Sequence, residues 1–93
     1  MTEIFYADEF KRRYRELPLS VQKKAERRER IFRLNPFHPS LGTEKLKPRE
    51  KEYWSFRIDP SYRILFRFDN DNKKINFLTC GHHSWIYSYV ATH

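Results

Sequence analysis

The sequence predicts an α+β domain in which an N-terminal strand and a helical hairpin pack on an antiparallel β-sheet meander. Two observations carry this prediction. Apolar residues recur every three or four positions in the first third of the chain, and from Tyr53 onward they alternate with polar residues. A chain of 93 residues has room for one hydrophobic core, so residues 1–93 are expected to form a single domain.

The helical hairpin is predicted by two amphipathic segments. Asp8 is positioned to cap a first helix, whose apolar face follows i, i+4, i+7 spacing and which Pro18 ends. Ser20 is positioned to cap a second, longer helix that stops at Asn35, because the residue before a proline avoids the helical region. The residues expected to point inward from the two helices are Phe10, Tyr14, Leu17, Val21, Ala25, Ile31, Phe32 and Leu34.

Strands are predicted where the hydrophobic period changes to two, over residues 53–58, 62–68 and 74–80, with a further short strand at 4–6. The segment 36–52 is rich in proline and is expected to be an irregular connection. The run Asp69-Asn70-Asp71-Asn72 supplies residues that favour a turn between the last two strands. The second half of the chain is therefore predicted to be a meander of three antiparallel strands.

Two arginines are predicted to face each other across the first two strands of this meander. The three-residue loop after Ile58 places Ile58 opposite Tyr62, and counting back places Arg57 opposite Arg63 on the sheet face away from the helices. Like charges in direct cross-strand pairs are destabilising. The pair is therefore expected either to splay into water or to hold an anion.

The charge of the chain indicates a polyanion or an acidic protein as partner. Nineteen Lys and Arg residues against twelve Asp and Glu residues give a formal net charge of +7. Ten of these cations lie within residues 11–33, where a charged helix face is usually only solvated. The others lie among aromatic residues and are more typical of a nucleic-acid surface. Lys45, Lys47 and Arg67 are expected to contact backbone phosphates, with Arg57 beside them.

Cysteine usage indicates a reducing compartment, and hydropathy indicates that the chain does not insert into a membrane. The single cysteine, Cys80, excludes an internal disulfide and is expected to be a small hydrophobic residue of a strand. No basic and apolar leader and no long apolar run is visible. Cys80 and the histidines lack the paired spacing of a structural zinc site, so neither a metal nor a cofactor is expected.

A proton-transfer site is predicted after the last strand, at Gly81-His82-His83 and Tyr87. Histidines exchange protons near neutral pH, and Arg63 on the neighbouring strand is a permanent cation. Cleavage of RNA without a metal requires a base near the 2′-hydroxyl, an acid near the leaving 5′-oxygen and a cation over the charged phosphorane. Adjacent strand residues point to opposite faces, so only one of His82 and His83 is expected to join Arg63, and the other is expected to pack or to bond to backbone.

Five segments together resemble the RelE/ParE superfamily of type II toxins, along essentially the whole chain. They are Asp8 to Arg12, Glu44 to Lys47, Trp54 to Ile58, Tyr62 to Phe66, and the ending His83-Ser84-x-x-Tyr87. The ending is similar to that of the YafQ and YoeB-like messenger-RNA interferases. This resemblance implies that Arg63 holds the scissile phosphate, that His83 and Tyr87 form the catalytic end, and that Glu44 is a second proton carrier or orients a base.

The resemblance also implies a toxin that cleaves messenger RNA on the ribosome in a prokaryotic cytoplasm and is neutralised by an acidic antitoxin. The family's lysine-rich second strand is here reduced to Ser55 and Arg57, and the roles of acid and base remain open. Two alternatives remain, since a fold does not settle a function. One is a ParE-like toxin that inhibits DNA gyrase, and the other is a basic RNA-binding module.

Overall fold

A five-stranded sheet carries a helical hairpin on one face and a third helix on the other. The computed structural model describes residues 3–69 and 73–93. The helices are α1 (Asp8–Glu16), α2 (Leu19–Leu34) and α3 (His83–Thr92), and the strands are β1 (Glu3–Tyr6), β2 (Glu44–Lys45), β3 (Trp54–Arg57), β4 (Tyr62–Phe68) and β5 (Lys74–His82). Short 3₁₀ turns at Pro39–Leu41 and Arg49–Lys51 flank β2.

The predicted meander is confirmed, and two further strands extend it at its edges. The sheet order is β1-β5-β4-β3-β2, and β3, β4 and β5 pair antiparallel with Arg57 opposite Arg63. The Ile58 amide donates to the Tyr62 carbonyl at 2.9 Å, as the three-residue loop requires. The N-terminal strand β1 joins the sheet by pairing parallel with β5. The segment 36–52 is not wholly irregular, since β2 pairs with β3. Residues 70–72 of the predicted turn lie outside the described residues.

The hairpin packs its apolar side on the sheet, although both predicted caps are displaced. The extended residues that precede the two helices are Ala7 and Pro18, with ψ of 153° and 145°. Asp8 and Ser20 therefore lie inside the first turns of the helices. Leu34 was expected to point inward and is 88% exposed. Phe32 takes the inward position, and two helical steps of 100° carry Leu34 to the opposite side.

An aromatic core fills the space between the hairpin and the sheet. Phe32 is fully buried and lies 4.6 Å from Phe56 and 5.4 Å from Phe77 between ring centroids. Phe10 and Phe66 complete the cluster. Aromatic rings bury a large area for few rotatable bonds, which suits a domain with a small core. Cys80 is buried here, as predicted, and burial raises the pKa of its thiol to about 12.

Helix α3 was not predicted from the sequence, and it covers the other face of the sheet. Ile86 and Val90, four residues apart, pack with Leu65, Leu46 and Tyr53 in a second buried cluster. The segment is rich in aromatic and β-branched residues that favour strands, yet this i, i+4 pair was a helical signal. Of the helices in the described part of the chain, none is long and apolar enough to cross a membrane.

The β3–β4 turn is held by the Asp59 carboxylate, which accepts the amides of Ser61 and Tyr62, both at 2.8 Å. Lys24 Nζ lies 3.5 Å from the same carboxylate. Burial opposes ionisation of Asp59, but these backbone donors and Lys24 outweigh it and hold its pKa below the ordinary value of 3.8. The charged form therefore stabilises the folded state, fully above pH 3.8 and less as the pH falls through the lower folded value.

We predict that Asp59→Ala lowers the free energy of unfolding at neutral pH by about 1.5–3 kcal/mol, because two backbone amides lose a charged acceptor. The difference from the unaltered protein should shrink below pH 3.8 as Asp59 becomes protonated. Urea unfolding at a series of pH values measures it. Glu50→Ala, which removes an exposed carboxylate in a 3₁₀ turn, is the control and should show neither effect. A deficit that is the same at every pH would contradict the electrostatic explanation.

Candidate functional site

Arg63 is the centre of a polar cluster on the sheet face that carries α3. It lies on β4, and its Nη1 donates to Ser55 Oγ on β3 at 3.2 Å and lies 3.5 Å from Glu44 Oε1 on β2. Its side chain is only 11% exposed, so Arg63 does not splay into water. A guanidinium this far from water needs partners, because an unpaired buried charge is costly. Ser55 and Glu44 supply them.

Helix α3 brings the predicted aromatic and histidine to this cluster. The Tyr87 hydroxyl donates to Glu44 Oε1 at 3.4 Å, and the rings of His83 and Tyr87 lie 6.4 Å apart. Residues four apart share a helix face, which is why both side chains point to the same side. The four predicted catalytic residues therefore form a continuous chain in the order Arg63, Glu44, Tyr87 and His83.

The two histidines are separated by a change of secondary structure, which strand alternation did not anticipate. His82 ends β5 and precedes α3, where its Nδ1 accepts the Ser84 amide at 3.2 Å. This confirms the expectation that His82 bonds to backbone. His83 begins the helix, and its amide donates to the Ser61 carbonyl at 2.8 Å. Among the described residues, His83 makes no hydrogen bond or ion pair with Arg63, and it reaches the cluster through Tyr87.

Arg57 lies beside Arg63 as the register predicted, but it is exposed. Its side chain crosses Gly42, whose φ of 57° favours glycine, and a Cβ there would lie 3.0 Å from Arg57 Nε. Within the described residues Arg57 has no ion pair, whereas Arg63 is paired with Glu44. This face of the sheet thus offers one free and one compensated guanidinium, which together suit an anion.

The other predicted phosphate contacts lie apart from this cluster. Lys45 Nζ is 3.1 Å from Glu52 Oε2, and its pairing with Trp54 places it on the hairpin side of β2. Arg67 donates twice to the Lys51 carbonyl, at 3.1 and 2.6 Å, and stacks 4.2 Å above the Tyr53 ring. Lys47 is exposed. Among the residues that the structure describes, no group of three or more His, Cys, Asp or Glu could hold a metal ion.

Solved structures share this fold along nearly their whole length. A YoeB/ParE toxin from Agrobacterium tumefaciens superposes with a TM-score of 0.71 at 20% identity, over 88% of this chain and 99% of that one. YafQ from E. coli strain BL21(DE3) gives 0.73 at 14% identity, over 94% and 99%. A chain of the RelB–RelE antitoxin–toxin complex from Methanococcus jannaschii gives 0.69 at 23% identity, over 91% and 96%. No protein-family model and no curated protein sequence matches the chain.

The chain has the fold of the RelE/ParE toxins. The resemblance seen in the sequence motifs is thereby confirmed for the fold, including the likeness to YoeB and YafQ.

Sequence reasoning missed Ser55 as a member of the site in this RelE/ParE fold. Ser55 is fully buried, directly opposite Leu65, and its hydroxyl is a hydrogen-bond partner of Arg63. The available signal was a small polar residue at an alternating position between Trp54 and Phe56 on a strand covered on both faces. A buried hydroxyl requires a partner, and Arg63 on the next strand supplies one.

We predict that Ser55 and Arg63 are strongly coupled in stability and that Glu44 and Arg63 are not. A double-mutant cycle of Ser55→Ala and Arg63→Gln should give a coupling of about 1–3 kcal/mol, because the hydroxyl and the guanidinium are both withdrawn from water. The matched cycle of Glu44→Gln and Arg63→Gln should give about 0.2–1 kcal/mol, because Glu44 is 48% exposed. Urea unfolding measures both cycles. A larger coupling for Glu44 would mean that the carboxylate, not Ser55, holds Arg63 in place.

Proposed function

We propose that this protein is the toxin of a toxin–antitoxin system and acts as an endoribonuclease on messenger RNA, without a metal. The observation that carries the proposal is the chain of Arg63, Glu44, Tyr87 and His83 across β4, β2 and α3. It brings a cation, a carboxylate, a phenol and an imidazole to one face of the sheet. Support comes from the neighbours in fold, which are YoeB, YafQ and RelE toxins.

The proposed reaction is an attack by the RNA's own 2′-hydroxyl on the adjacent phosphorus. The 2′-oxygen loses its proton to a base and bonds to phosphorus, the bond from phosphorus to the 5′-oxygen breaks, and an acid protonates that oxygen. His83 and Glu44 are the two proton carriers, one acting as the base and the other as the acid. Arg63 stabilises the charged phosphorane, and Tyr87 donates to phosphate or stacks on a base.

Binding of substrate requires the ion pair between Glu44 and Arg63 to open. Glu44 Oε1 lies 3.5 Å from Arg63 Nη1, on the guanidinium that the proposed reaction assigns to the phosphate. Phosphate and carboxylate therefore compete for the same guanidinium, while the Ser55 hydroxyl keeps the guanidinium in position. Once displaced, Glu44 remains beside the phosphate through its contact with Tyr87 and is free to accept a proton.

The proposed partners follow from charge and from the neighbours in fold. A formal net charge of +7 favours an acidic antitoxin, and charge complementarity would speed its association at low salt. One neighbour in fold was solved as a RelB–RelE antitoxin–toxin complex. We further propose that the messenger RNA is cut on the ribosome, in the cytoplasm of a prokaryote, and that Arg57 and Lys47 contact its backbone phosphates.

End-group analysis of a defined message, incubated with the purified protein with and without translating ribosomes, tests the reaction. The 5′ fragment should end in a 2′,3′-cyclic phosphate or a 3′-phosphate, and the 3′ fragment should begin with a free 5′-hydroxyl. Replacing the 2′-hydroxyl at the cleavage site by hydrogen should stop cleavage. His83→Gln should slow it by about 10²–10⁴-fold, since one proton carrier is lost.

The control variant is His82→Asn, because asparagine preserves a capping acceptor at the start of α3. It should cleave at nearly the normal rate. Fragments with a 5′-phosphate would mean that activated water is the nucleophile. No fragments under either condition would contradict the nuclease assignment and favour the gyrase-directed alternative.

We predict that Glu44→Gln binds substrate more tightly while cleaving it more slowly. The neutral amide of Gln does not compete with phosphate for Arg63 as an anion does. An RNA with a 2′-deoxy substitution at the cleavage site, which binds without being cut, should therefore bind more tightly. The cleavage rate of normal RNA should fall, because a proton carrier is lost. Fluorescence anisotropy gives the affinity, and single-turnover cleavage gives the rate. Glu50→Gln is the matched control, since it removes the same charge from an exposed 3₁₀ turn and should change neither quantity. Weaker binding by Glu44→Gln would show that Glu44 does not compete with phosphate.

A further inference from the structure

The guanidinium of Arg13, a residue of α1, lies on the sheet face of the proposed active site. Its Cζ stacks 3.7 Å from the centre of the Trp85 ring of α3. A Cβ at Gly81 would lie 3.5 Å from Arg13 Nη2, so the guanidinium lies over the end of β5. Gly81 is the register partner of Arg63, and paired residues project to the same face of a sheet. Arg13 therefore lies on the face that carries Arg63, over the neighbouring strand.

Arg13 reaches this face around the edge of β5 and has no partner there for its charge. In the described part of the chain, β1 pairs with β5 only as far as Tyr6 and Phe77, whereas β5 continues to His82. The edge beyond Phe77 is therefore open to a side chain of α1. Among the described residues Arg13 has neither a hydrogen bond nor an ion pair, although it is only partly exposed. Stacking on a ring uses the face of the guanidinium and leaves its N–H donors available.

A pocket of about 170 Å³ lies beside Arg13 at the end of the sheet, and we refer to it as the Arg13 pocket. The residues that line it include Arg13, Glu16, Tyr62, Gly81 and His82. The His82 ring lies 4.3 Å from the His83 ring and 5.9 Å from the Tyr62 ring, so aromatic surface continues from the pocket to His83. The pocket thus adjoins the proposed active site at two places, where Gly81 pairs with Arg63 and where His82 meets His83.

We propose that the Arg13 pocket binds a nucleotide that flanks the scissile phosphate, with the phosphate of that nucleotide on the Arg13 guanidinium. This inference rests on the proposed nuclease function. Guanidinium groups bind phosphate through paired donors, and bases stack on aromatic side chains such as Tyr62. An RNA strand carries a phosphate at every nucleotide, so a strand held at Arg63 presents a further phosphate on the same face. The pocket therefore takes RNA in preference to an isolated anion, which would engage only one of the two guanidinium groups.

The first test compares Arg13→Gln with Arg15→Gln, which removes the same charge from an exposed position of the same helix outside the pocket. The probe is a 2′-O-methyl pentauridine, which has no free 2′-hydroxyl to attack the phosphorus and is bound without being cleaved. Arg13→Gln should weaken its binding and reduce the salt slope by about 0.7, the value for one phosphate contact to a single strand. Arg13→Lys should keep the slope, because the cation remains, and Arg15→Gln should change neither quantity. Fluorescence anisotropy over a series of salt concentrations measures both.

Glu16 provides a second test that leaves the contact between Arg13 and α3 intact. Its carboxylate is exposed, lines the pocket and lies one helical turn from Arg13, with no ion pair between these two described residues. The negative charge should repel a phosphate in the pocket, so Glu16→Gln should bind the probe more tightly. Glu50→Gln, which removes an exposed carboxylate from a 3₁₀ turn outside the pocket, should leave binding unchanged.

Three results would overturn the proposal. Equal weakening by Arg13→Gln and Arg15→Gln would mean that only net charge matters. Equal weakening by Arg13→Gln and Arg13→Lys, with the salt slope unchanged, would mean that Arg13 only holds the Trp85 ring. Unchanged binding of the probe together with weaker binding of an oligoglutamate peptide would assign the pocket to an acidic protein.

Cleavage of a defined message by the unaltered protein, measured in parallel by end-group analysis, separates the two proposals. Cleavage together with any of these three results contradicts the role of the Arg13 pocket alone. Absence of cleavage, with and without translating ribosomes, contradicts the nuclease assignment and with it this inference.

Discussion

The register between β3 and β4 is the constraint on which both faces of the sheet depend. It is set by a three-residue turn whose amides are accepted by the Asp59 carboxylate. In this register Phe56 and Ile64 pack under the hairpin, while Ser55 and Arg63 face α3. A slip of one residue would exchange the two faces, since side chains alternate along a strand. The aromatic core would then face α3, and a cation would enter the hairpin side. The turn therefore determines the positions of both the core and the candidate site.

The cluster around Arg63 offsets the cost of withdrawing a charge from water and leaves one of its two acceptors at the surface. Ser55, fully buried, provides a neutral acceptor that does not compete for the charge. Glu44, half-exposed on a strand of two residues, provides a charged one that does. The pair with Glu44 has one exposed partner and is correspondingly weak, and an anion that replaces the carboxylate keeps the guanidinium paired. Ser55 thus keeps Arg63 in position in the exchange of carboxylate for phosphate that the proposed function requires.

The sequence predicted those parts of the fold that depend on local patterns. Alternation gave β3, β4 and β5, and loop length gave the pair of Arg57 and Arg63. The parallel pairing of β1 with β5 could not be read in the same way, because it joins segments about seventy positions apart through tertiary packing. The burial of Arg63 also depends on non-local neighbours, since Ser55 and Glu44 reach it from other strands.

The residues of the candidate site could be predicted from the sequence, but their geometry could not, because it depends on helix α3. The spacing of His83 and Tyr87 had been noticed, but their side chains share a face only because the chain turns helical at His83. That turn depends on packing. Gly81 leaves room for the Trp85 ring, since a Cβ there would lie 3.0 Å from it, and the Arg13 guanidinium stacks 3.7 Å from the ring centre.

At its other end, α3 is held by Lys51, whose Nζ donates to the Val90 carbonyl at 2.7 Å, while the Lys51 carbonyl accepts Arg67. Arg67, expected from its charge to meet phosphate, thus links β4 to the end of α3. His83 and Tyr87 are positioned by the same contacts that close the second hydrophobic cluster, so the stability of α3 and the geometry of the proposed active site are set together.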